Sequence, residues 1–468
     1  MEHCVTSTVR FIADSSWRRP ANGNVVLAGS PLKLFSLSQA GQAIAECIER
    51  AQILPVGHEV LTERLLDAGA IHPVPSTVDS ARFALNTVTA VIPAYIRTAQ
   101  EAESLQSLVT SSSALHGVVV VDDCSPHALP NLGAARVIRL EKNSGPAAAR
   151  NAGLALVDTQ FIAYIDVDVA ISSDTISTLL PYFADDKVAL VAPRVKSPTT
   201  ATVLGEYEAV ASVLDMGETE ARVRAGTRVS YVPSAMWLCR TAALRSISGF
   251  SDSLRSGEDV DVVWRLNDAG WRCRYQPQAE CSHLSRTTLQ QFARQRMSYG
   301  ESAAPLAKRH TGKLAPAKFN VWQASTWLLV LLGMPFIALG VAIVASASTA
   351  KKLRRFPQLR DESFRIAMHG TVQSAQTAAS AINRVWWPIA FVLALFSQRL
   401  RVLFIVAALG PAVYEWWTKR PHLDVVRFVL IKMLDNTAYG AGVWKGVIAS
   451  RNVAPLIPTV KKSVTNEE

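Results

Sequence analysis

The chain has 468 residues, 49% hydrophobic and only 18% charged, with 48 Lys and Arg against 38 Asp and Glu for a formal net charge of +10. That length exceeds a single core and predicts two or three domains, and the apolar excess points to membrane contact. The basic residues gather late, beside apolar runs and without interleaved stacking aromatics, which argues for anionic lipid and against a nucleic-acid reader.

The first 78 residues read as a small module. Strand-like runs lie in "VRFIAD" (9–14) and "NVVLAGSPLKLFSLS" (24–38). A helix over 39–51 follows, with Ser38 as N-cap and Ile44 and Ile48 on one face. A second helix over 58–71 turns Val60, Leu61, Leu65 and Leu66 inward and exits at Gly69. Strands followed by two helices predict a winged-helix-like unit. "HPVPSTVDSA" (72–81), with two prolines and no periodicity, reads as a linker, and 79–86 as the domain boundary.

From 87 to 315 short apolar strands alternate with helices. The strands are expected at 87–95, 117–126, 135–143, 161–169 and 188–195, the helices at 101–112, 145–157 and 173–186. This alternation predicts an α/β domain with a largely parallel sheet, whose ligands bind beyond the carboxyl ends of the strands. Asp122, Asp123, Asp166 and Asp168 fall at those ends. From 316 to 468 the chain turns helical and apolar. Residues 325–347 carry no charge and are long enough to span a bilayer, while 385–396 and 402–417 are shorter and divided by "SQRLR". Lys308, Arg309 and Lys313 precede the first run and Lys351, Lys352, Arg354 and Arg355 follow it. Positive charge on both sides conflicts with one simple crossing, and a helix broken near Gly333–Pro335 would keep both ends cytoplasmic. Six cysteines (Cys4, Cys47, Cys124, Cys239, Cys273 and Cys281) form no CxxC pair, which predicts reduced thiols. The first 20 residues lack the apolar run of a secretory signal, so the catalytic region is expected in the cytoplasm.

"YIDVDV" places Asp166 and Asp168 two residues apart at the end of an apolar strand. On an extended strand they would share a side and present oxygens to one hard cation, Mg2+ or Mn2+. "NSGPAAARNAG" (143–153) opens a helix whose amide groups would face an anion, with Arg150 adding positive charge. "SGEDVDVVWRL" (256–266) starts another helix with Glu258, Asp259 and Asp261, which also suits simple N-terminal capping. "WLCRTAALRSISGF" (237–250) is expected to shape a ligand pocket just before Asp259, with Trp237 either stacking on the ligand or packed inside.

In order along the chain, "VIPAY", "VVVDDCSP", "NSGPAAARNAG", "YIDVDV" and "GEDVDVVWRL" resemble the family 2 glycosyltransferases, which have a GT-A nucleotide-diphospho-sugar transferase fold. The resemblance covers residues 86–300. It implies that Pro93, Tyr95, Asp123, Asn143, Gly145, Arg150 and Asp166 line the nucleotide pocket. It makes Asp166 and Asp168 the metal-binding pair, His283 a further metal or phosphate ligand, Asp259 the catalytic base and Glu258 its support. "QQFARQRMSYG" (290–300) loosely resembles a QxxRW signature: Gln291 and Arg294 fit, Gln295 replaces the tryptophan, and Arg294 would contact the diphosphate. The first module resembles small PqqD-like peptide-recognition domains. The whole layout resembles the glycosyltransferases of mycofactocin systems. That implies inverting transfer of glucose from UDP-glucose onto a peptide-derived redox cofactor, building a β-1,4-glucan chain. It also implies a precursor peptide or maturation protein as partner of residues 1–78, and a place at the cytoplasmic face of the cell membrane against lipid. Two alternatives stay open: a lipid or cell-wall polysaccharide acceptor, and a non-catalytic membrane scaffold holding a peptide partner.

Overall fold

The computed structural model describes residues 10–20, 23–55, 57–284, 286–353 and 363–461. Cys4, Arg354 and Arg355 lie outside the described residues, as does Val9 at the start of the first expected strand. The chain divides into two compact units, one of Met1–Pro198 with Ala211–Ser285, the other of Thr199–Val210 with Arg286–Glu468.

In the first unit, β1 (Arg10–Ala13), β2 (Val25–Ala28), β3 (Lys33–Ser36), α1 (Gln39–Glu49), α2 (Glu59–Ala68) and β4 (Ile71–Val74) build the N-terminal module. The Gly29–Pro31 turn folds β2 onto β3 as an antiparallel hairpin. Ser38 caps α1 by accepting the Gly41 N–H at 3.2 Å, and Gly69 ends α2 in the left-handed region. Phe11, Val26, Phe35, Ile44, Ile48, Leu65, Leu66 and Ile71 form its core.

Residues 72–81 are not a linker. β4 pairs antiparallel with β1, with Ala13 opposite Ile71. Pro73 is tolerated because β4 is an edge strand in a two-stranded sheet. α3 (Thr77–Arg82) then starts on a capping box in which the Ser76 Oγ accepts the Asp79 N–H at 3.1 Å and the Asp79 carboxylate accepts the Ser76 N–H at 2.8 Å. The small polar residues that read as linker are helix-starting chemistry.

The module is fixed to the sheet domain by buried guanidinium groups. Arg272 donates to Glu63 at 2.6 Å, Asp67 at 2.9 Å and Asp185 at 2.9 Å. Arg274 meets His72 Nδ1 at 3.2 Å, and His72 Nε2 meets Asp14 at 2.9 Å. Burial pushes the Asp14 carboxyl up, but hydrogen bonds from His72 and Ser16 overcome it and hold it well below the usual carboxylate range.

The sheet domain follows as β5 (Val88–Ala94), α4 (Ala99–Ser111), β6 (Gly117–Asp122), β7 (Arg136–Arg139), α5 (Pro146–Leu154), β8 (Phe161–Ile165), β9 (Val169–Ile171), α6 (Ser173–Leu179) and β10 (Val188–Lys196). After α7 (Val203–Ala211), almost all of which belongs to the second unit, come β11 (Ala221–Val223), β12 (Met236–Arg240), α8 (Thr241–Ser246), α9 (Glu258–Asp268) and β13 (Arg272–His283). The strand order is β11-β13-β10-β12-β8-β5-β6-β7, with β9 on β13. β5, β6, β7 and β8 pair in parallel, as do β10 and β13. β12 is antiparallel to both β8 and β10, and β11 and β9 are antiparallel to β13. The sheet is therefore mixed rather than largely parallel. Of the segment 237–250 expected to shape a ligand pocket, the first four residues belong to the central strand β12 and the rest to α8 and the loop after it, and Trp237 is fully buried in the strand, stacked on Phe250 with centroids 6.0 Å apart. It has no face left for a sugar.

The second unit continues with α10 (Leu289–Glu301), α11 (Ala303–Arg309), β14 (Lys318–Asn320), α12 (Val321–Leu331), α13 (Pro335–Leu353), α14 (Ser363–Ala381), a π-helical turn Ile382–Trp386, α15 (Trp387–Phe396), α16 (Gln398–Lys419), α17 (Val425–Ser450) and β15 (Thr459–Lys461). The 325–347 run is broken into α12 and α13 at Gly333, whose φ is +78°, as the Gly–Pro signal predicted. "SQRLR" divides less than expected, because Ser397 caps α16 and the next four residues are its first turn. Two stretches, Gly370–Phe396 and Gln398–Lys419, are long and apolar enough to cross a membrane. α10 packs on α17 with glycines at the contact: a Cβ on Gly442 would overlap the Met297 carbonyl. Beside them Arg296 is buried between Asp435 at 3.0 Å and Glu208 at 2.9 Å, and the Tyr207 hydroxyl donates to Asp435 at 2.9 Å.

Candidate active site

The site is assembled where β5, β6 and β8 end and where α5 and α9 begin. β5 ends through half-buried Pro93 to exposed Tyr95, while Ile96 returns inside and donates its N–H to Ser125 at 2.8 Å. β6 ends in two buried acids. Asp122 accepts the Ser125 N–H at 2.8 Å and Arg139 at 2.6 Å, a structural role. Asp123 accepts the N–H groups of Ser144 at 2.7 Å and Gly145 at 2.8 Å. Both its oxygens are thus engaged by the loop that opens α5, and Asn143 leans on its carbonyl at 3.4 Å. The first amide donors that the sequence offered to an external anion are already taken by this carboxylate. Pro146 has no N–H to offer, and Gly145, at φ +90°, makes the turn.

α5 lies directly on the sheet because Gly153 has no side chain: a Cβ there would overlap Val91. This places Arg150 behind the acids. Its side chain is 2% exposed, with Nη2 2.6 Å from Asp166 Oδ1 and Nη1 2.8 Å from Glu258 Oε1. Its guanidinium carbon lies 5.5 Å from the Phe250 ring centroid, and its Nε is buried without a hydrogen-bond partner. Burial alone would lower its affinity for a proton, but the two carboxylates more than offset that and raise it. Arg150 therefore joins two acidic motifs instead of lining an open pocket.

Asp166 and Asp168 do not sit on one extended strand. β8 stops at Ile165, and the Val169 N–H closes a turn on the Asp166 carbonyl at 3.0 Å. The turn gives the two carboxylates different partners: Asp166 meets Arg150, while Asp168 Oδ2 lies 3.3 Å from Nε2 of His283, which ends β13 and is largely buried. Burial pushes the Asp166 carboxyl up to about 6; Arg150 opposes the rise and Asp168 adds to it. Among the described residues, no three His, Cys, Asp or Glu side chains gather as a complete metal cage. Asp168 and His283 still offer one hard oxygen and one imidazole side by side, with Asp166 two residues away. That set fits a divalent ion that completes its shell with water and phosphate oxygens.

α9 begins at Gly257, in the left-handed region. Glu258 is buried against Arg150. Asp259 is half-buried and accepts only the neighbouring Val260 N–H, at 2.8 Å, among its described hydrogen bonds. Burial, then the charge of Glu258, pushes its carboxyl up to about 7. Asp261 is turned inward onto Arg265 at 2.8 Å and supports the helix. Simple capping explains Asp261 but not a carboxyl whose proton is balanced near neutrality. Arg294 lies on α10, in the second unit.

Two residues that the sequence reading passed over hold the site together. Asn151 clasps the backbone of Phe250 from both sides, accepting its N–H at 2.8 Å and donating to its carbonyl at 2.9 Å. Phe250 in turn underlies Arg150. "ARNAG" and "SGF" carried a signal only as a pair, nearly a hundred residues apart.

These features gather anchored acids and one carboxyl of raised pKa at the ends of neighbouring strands and the start of α9. The family model described as Glycosyl transferase family 2 matches residues 89–248. The chain belongs to this family and is a glycosyltransferase. More particularly, it is 37% identical over 458 residues to the pre-mycofactocin glycosyltransferase of Mycobacterium tuberculosis, covering 94% of this chain and 95% of that one. The succinoglycan biosynthesis protein ExoO of Rhizobium meliloti is 35% identical over 99 residues, 20% of this chain and 28% of its own. Among solved structures, the mannosyltransferase PcManGT from Pyrobaculum calidifontis in complex with GDP-Man and Mn2+ aligns at 15% identity with a TM-score of 0.38, covering 64% of this chain and 89% of that one.

Proposed function

We propose that the chain moves glucose from UDP-glucose onto a pre-mycofactocin-type acceptor, a peptide-derived redox cofactor, with inversion at the anomeric carbon, extending it as a β-1,4-linked chain. The carrying observation is the chain of contacts at the helix start, where Asp259, a half-buried carboxyl pushed up by burial and by Glu258, is joined through Glu258 and Arg150 to the acids that close β8. Near-full-length similarity to the pre-mycofactocin glycosyltransferase supports the acceptor class.

Asp168 and His283, with Asp166 beside them, would hold a Mg2+ or Mn2+ ion. When bound, that ion neutralises the diphosphate of the donor. Tyr95, exposed at the end of β5, would lie against the nucleotide. Asp259 takes the proton of the acceptor hydroxyl. The hydroxyl oxygen then bonds to the anomeric carbon as the bond to the diphosphate oxygen breaks, and the electron pair leaves with the nucleoside diphosphate. One displacement needs no carboxylate nucleophile. The N-terminal module, as a PqqD-like unit of winged-helix type, would hold a precursor peptide or maturation protein. The apolar helices would keep the enzyme at the cytoplasmic face of the membrane.

Mass spectrometry of acceptor extracts incubated with UDP-hexoses, with and without the protein, tests this. Hexose increments on a small amino-acid-derived molecule are the expected result. Label entering only a lipid extract would replace it with the second reading, a lipid or polysaccharide acceptor, which the exposed apolar surface of the C-terminal helices favours.

A further inference from the structure

Arg150 is placed unlike an arginine that meets its ligand directly. Its guanidinium is almost wholly buried, and its two terminal nitrogens point to acids on different elements: Asp166 in the turn after β8, and Glu258 in the first turn of α9. The two acids are 92 residues apart in the sequence and have separate tasks under the reading above, one beside the donor diphosphate and one beside the base. A planar fork aims two separate N–H groups at both in a fixed geometry, which the compact, rotatable ammonium of a lysine does not. The fork is itself fixed: Phe250 lies beneath it, Asn151 clasps Phe250, and the Tyr164 hydroxyl donates to the Arg150 carbonyl at 3.3 Å. Nε is a buried donor without an acceptor among the described residues, so the guanidinium can regain a hydrogen bond if the acids around it shift.

We propose that Arg150 is a positioning residue that transmits occupancy of the donor side to the first turn of α9, so that Glu258 and Asp259 are ordered for the acceptor only once the nucleotide is in place. This rests on the glycosyltransfer reading of the site. In the resting protein the Asp166 arm and the Glu258 arm share one cation. Any ligand that draws on Asp166 alters the pull of that cation on Glu258, and Asp259 is the next residue. The coupling path is one side chain long, with a carboxylate at each end.

The test uses the full-length protein and UDP with Mn2+, without acceptor. Amide exchange is followed at residues 166–169 and 257–262 in the wild type and in Arg150→Lys. In the wild type, UDP–Mn2+ is expected to slow exchange in both segments. In Arg150→Lys, UDP–Mn2+ should bind within about threefold of the wild-type affinity and still protect 166–169, but 257–262 should gain no protection. Transfer should then lose about 30-fold or more in kcat with the donor KM little changed. Equal protection of 257–262 in both proteins would overturn the proposal. So would a loss of UDP affinity that matches the loss of kcat, because Arg150 would then be a nucleotide ligand. The lysine variant keeps the buried positive charge, and a circular dichroism melt confirms that it folds. Glu258→Gln gives an independent arm: its effect on kcat should be far less than additive with Arg150→Lys, and additivity would also overturn the proposal. Failure of the wild type to bind UDP–Mn2+ at all would instead remove the proposed UDP-sugar donor site, and this inference with it.

Discussion

Asp259 holds its proton to near-neutral pH because burial and the adjacent Glu258 both oppose its charge. A base must be ionised to act, so kcat/KM is expected to rise with pH up to a limb near 7 and level off above it. Asp259→Asn should lower kcat by about 10²- to 10⁴-fold while UDP binding persists. The same shift has a cost for folding. Between the ordinary aspartate value of about 4 and the folded value, the native state binds more protons than the unfolded one, so stability falls as pH rises through that window. Asp259→Asn removes the loss. Its melting temperature should therefore exceed wild type by more at pH 8 than at pH 5, and a thermal scan at the two values checks this. These acids were legible in the sequence because isolated carboxylates at strand ends and helix starts conflict with ordinary burial. What Arg150, Asp123 and Phe250 do was not legible. Their hydrogen-bond partners lie between 14 and 108 residues away, as with Tyr164–Arg150 and Arg150–Glu258, and no local spacing encodes such pairings.

Among elements, α10 and α17 show how small residues set a contact. Gly300, Gly442 and Gly446 let the two backbones meet, and Gly442→Val would force a side chain into the Met297 carbonyl. We expect destabilisation of about 1–3 kcal/mol from overpacking, read as a lower unfolding midpoint. The buried Arg296 behaves differently. Arg296→Ala would strand Glu208 and Asp435 without their cation, at a cost of roughly 3–5 kcal/mol, and chemical denaturation measures it. Most helices of the sheet domain were readable from their period and caps. The direction of β12 was not, since "MWLCR" is four apolar residues closed by an arginine and pairs equally well either way. Its antiparallel insertion between β8 and β10 is a tertiary outcome. α17 was passed over because its apolar residues and glycines spread around the helix instead of forming one stripe.

At the scale of the whole molecule, the C-terminal helices leave large apolar side chains uncovered, Phe336 at 88% and Phe396 at 84% exposure among them. A surface of this kind marks a contact with a membrane or with another protein, and vesicle binding tests the first. The protein is expected to sediment with phospholipid vesicles, and Phe336→Glu combined with Phe396→Glu should cut the bound fraction severalfold in a flotation assay. The apolar composition announced this region, while the places where its helices begin and end depended on single caps such as Ser397 and Asp424.

The charged seam that joins the N-terminal module to the sheet has a practical corollary. Glu63 and Asp67 supply two of the three carboxylates around Arg272, and His72 faces Arg274. Trimming the chain back to its sugar-transferring half would take two of the three carboxylates from Arg272 and uncover both sunken guanidinium groups. A shortened enzyme of that kind should clump on expression, and anyone testing what the front module contributes would do better to alter it by surface substitution than to cut it away.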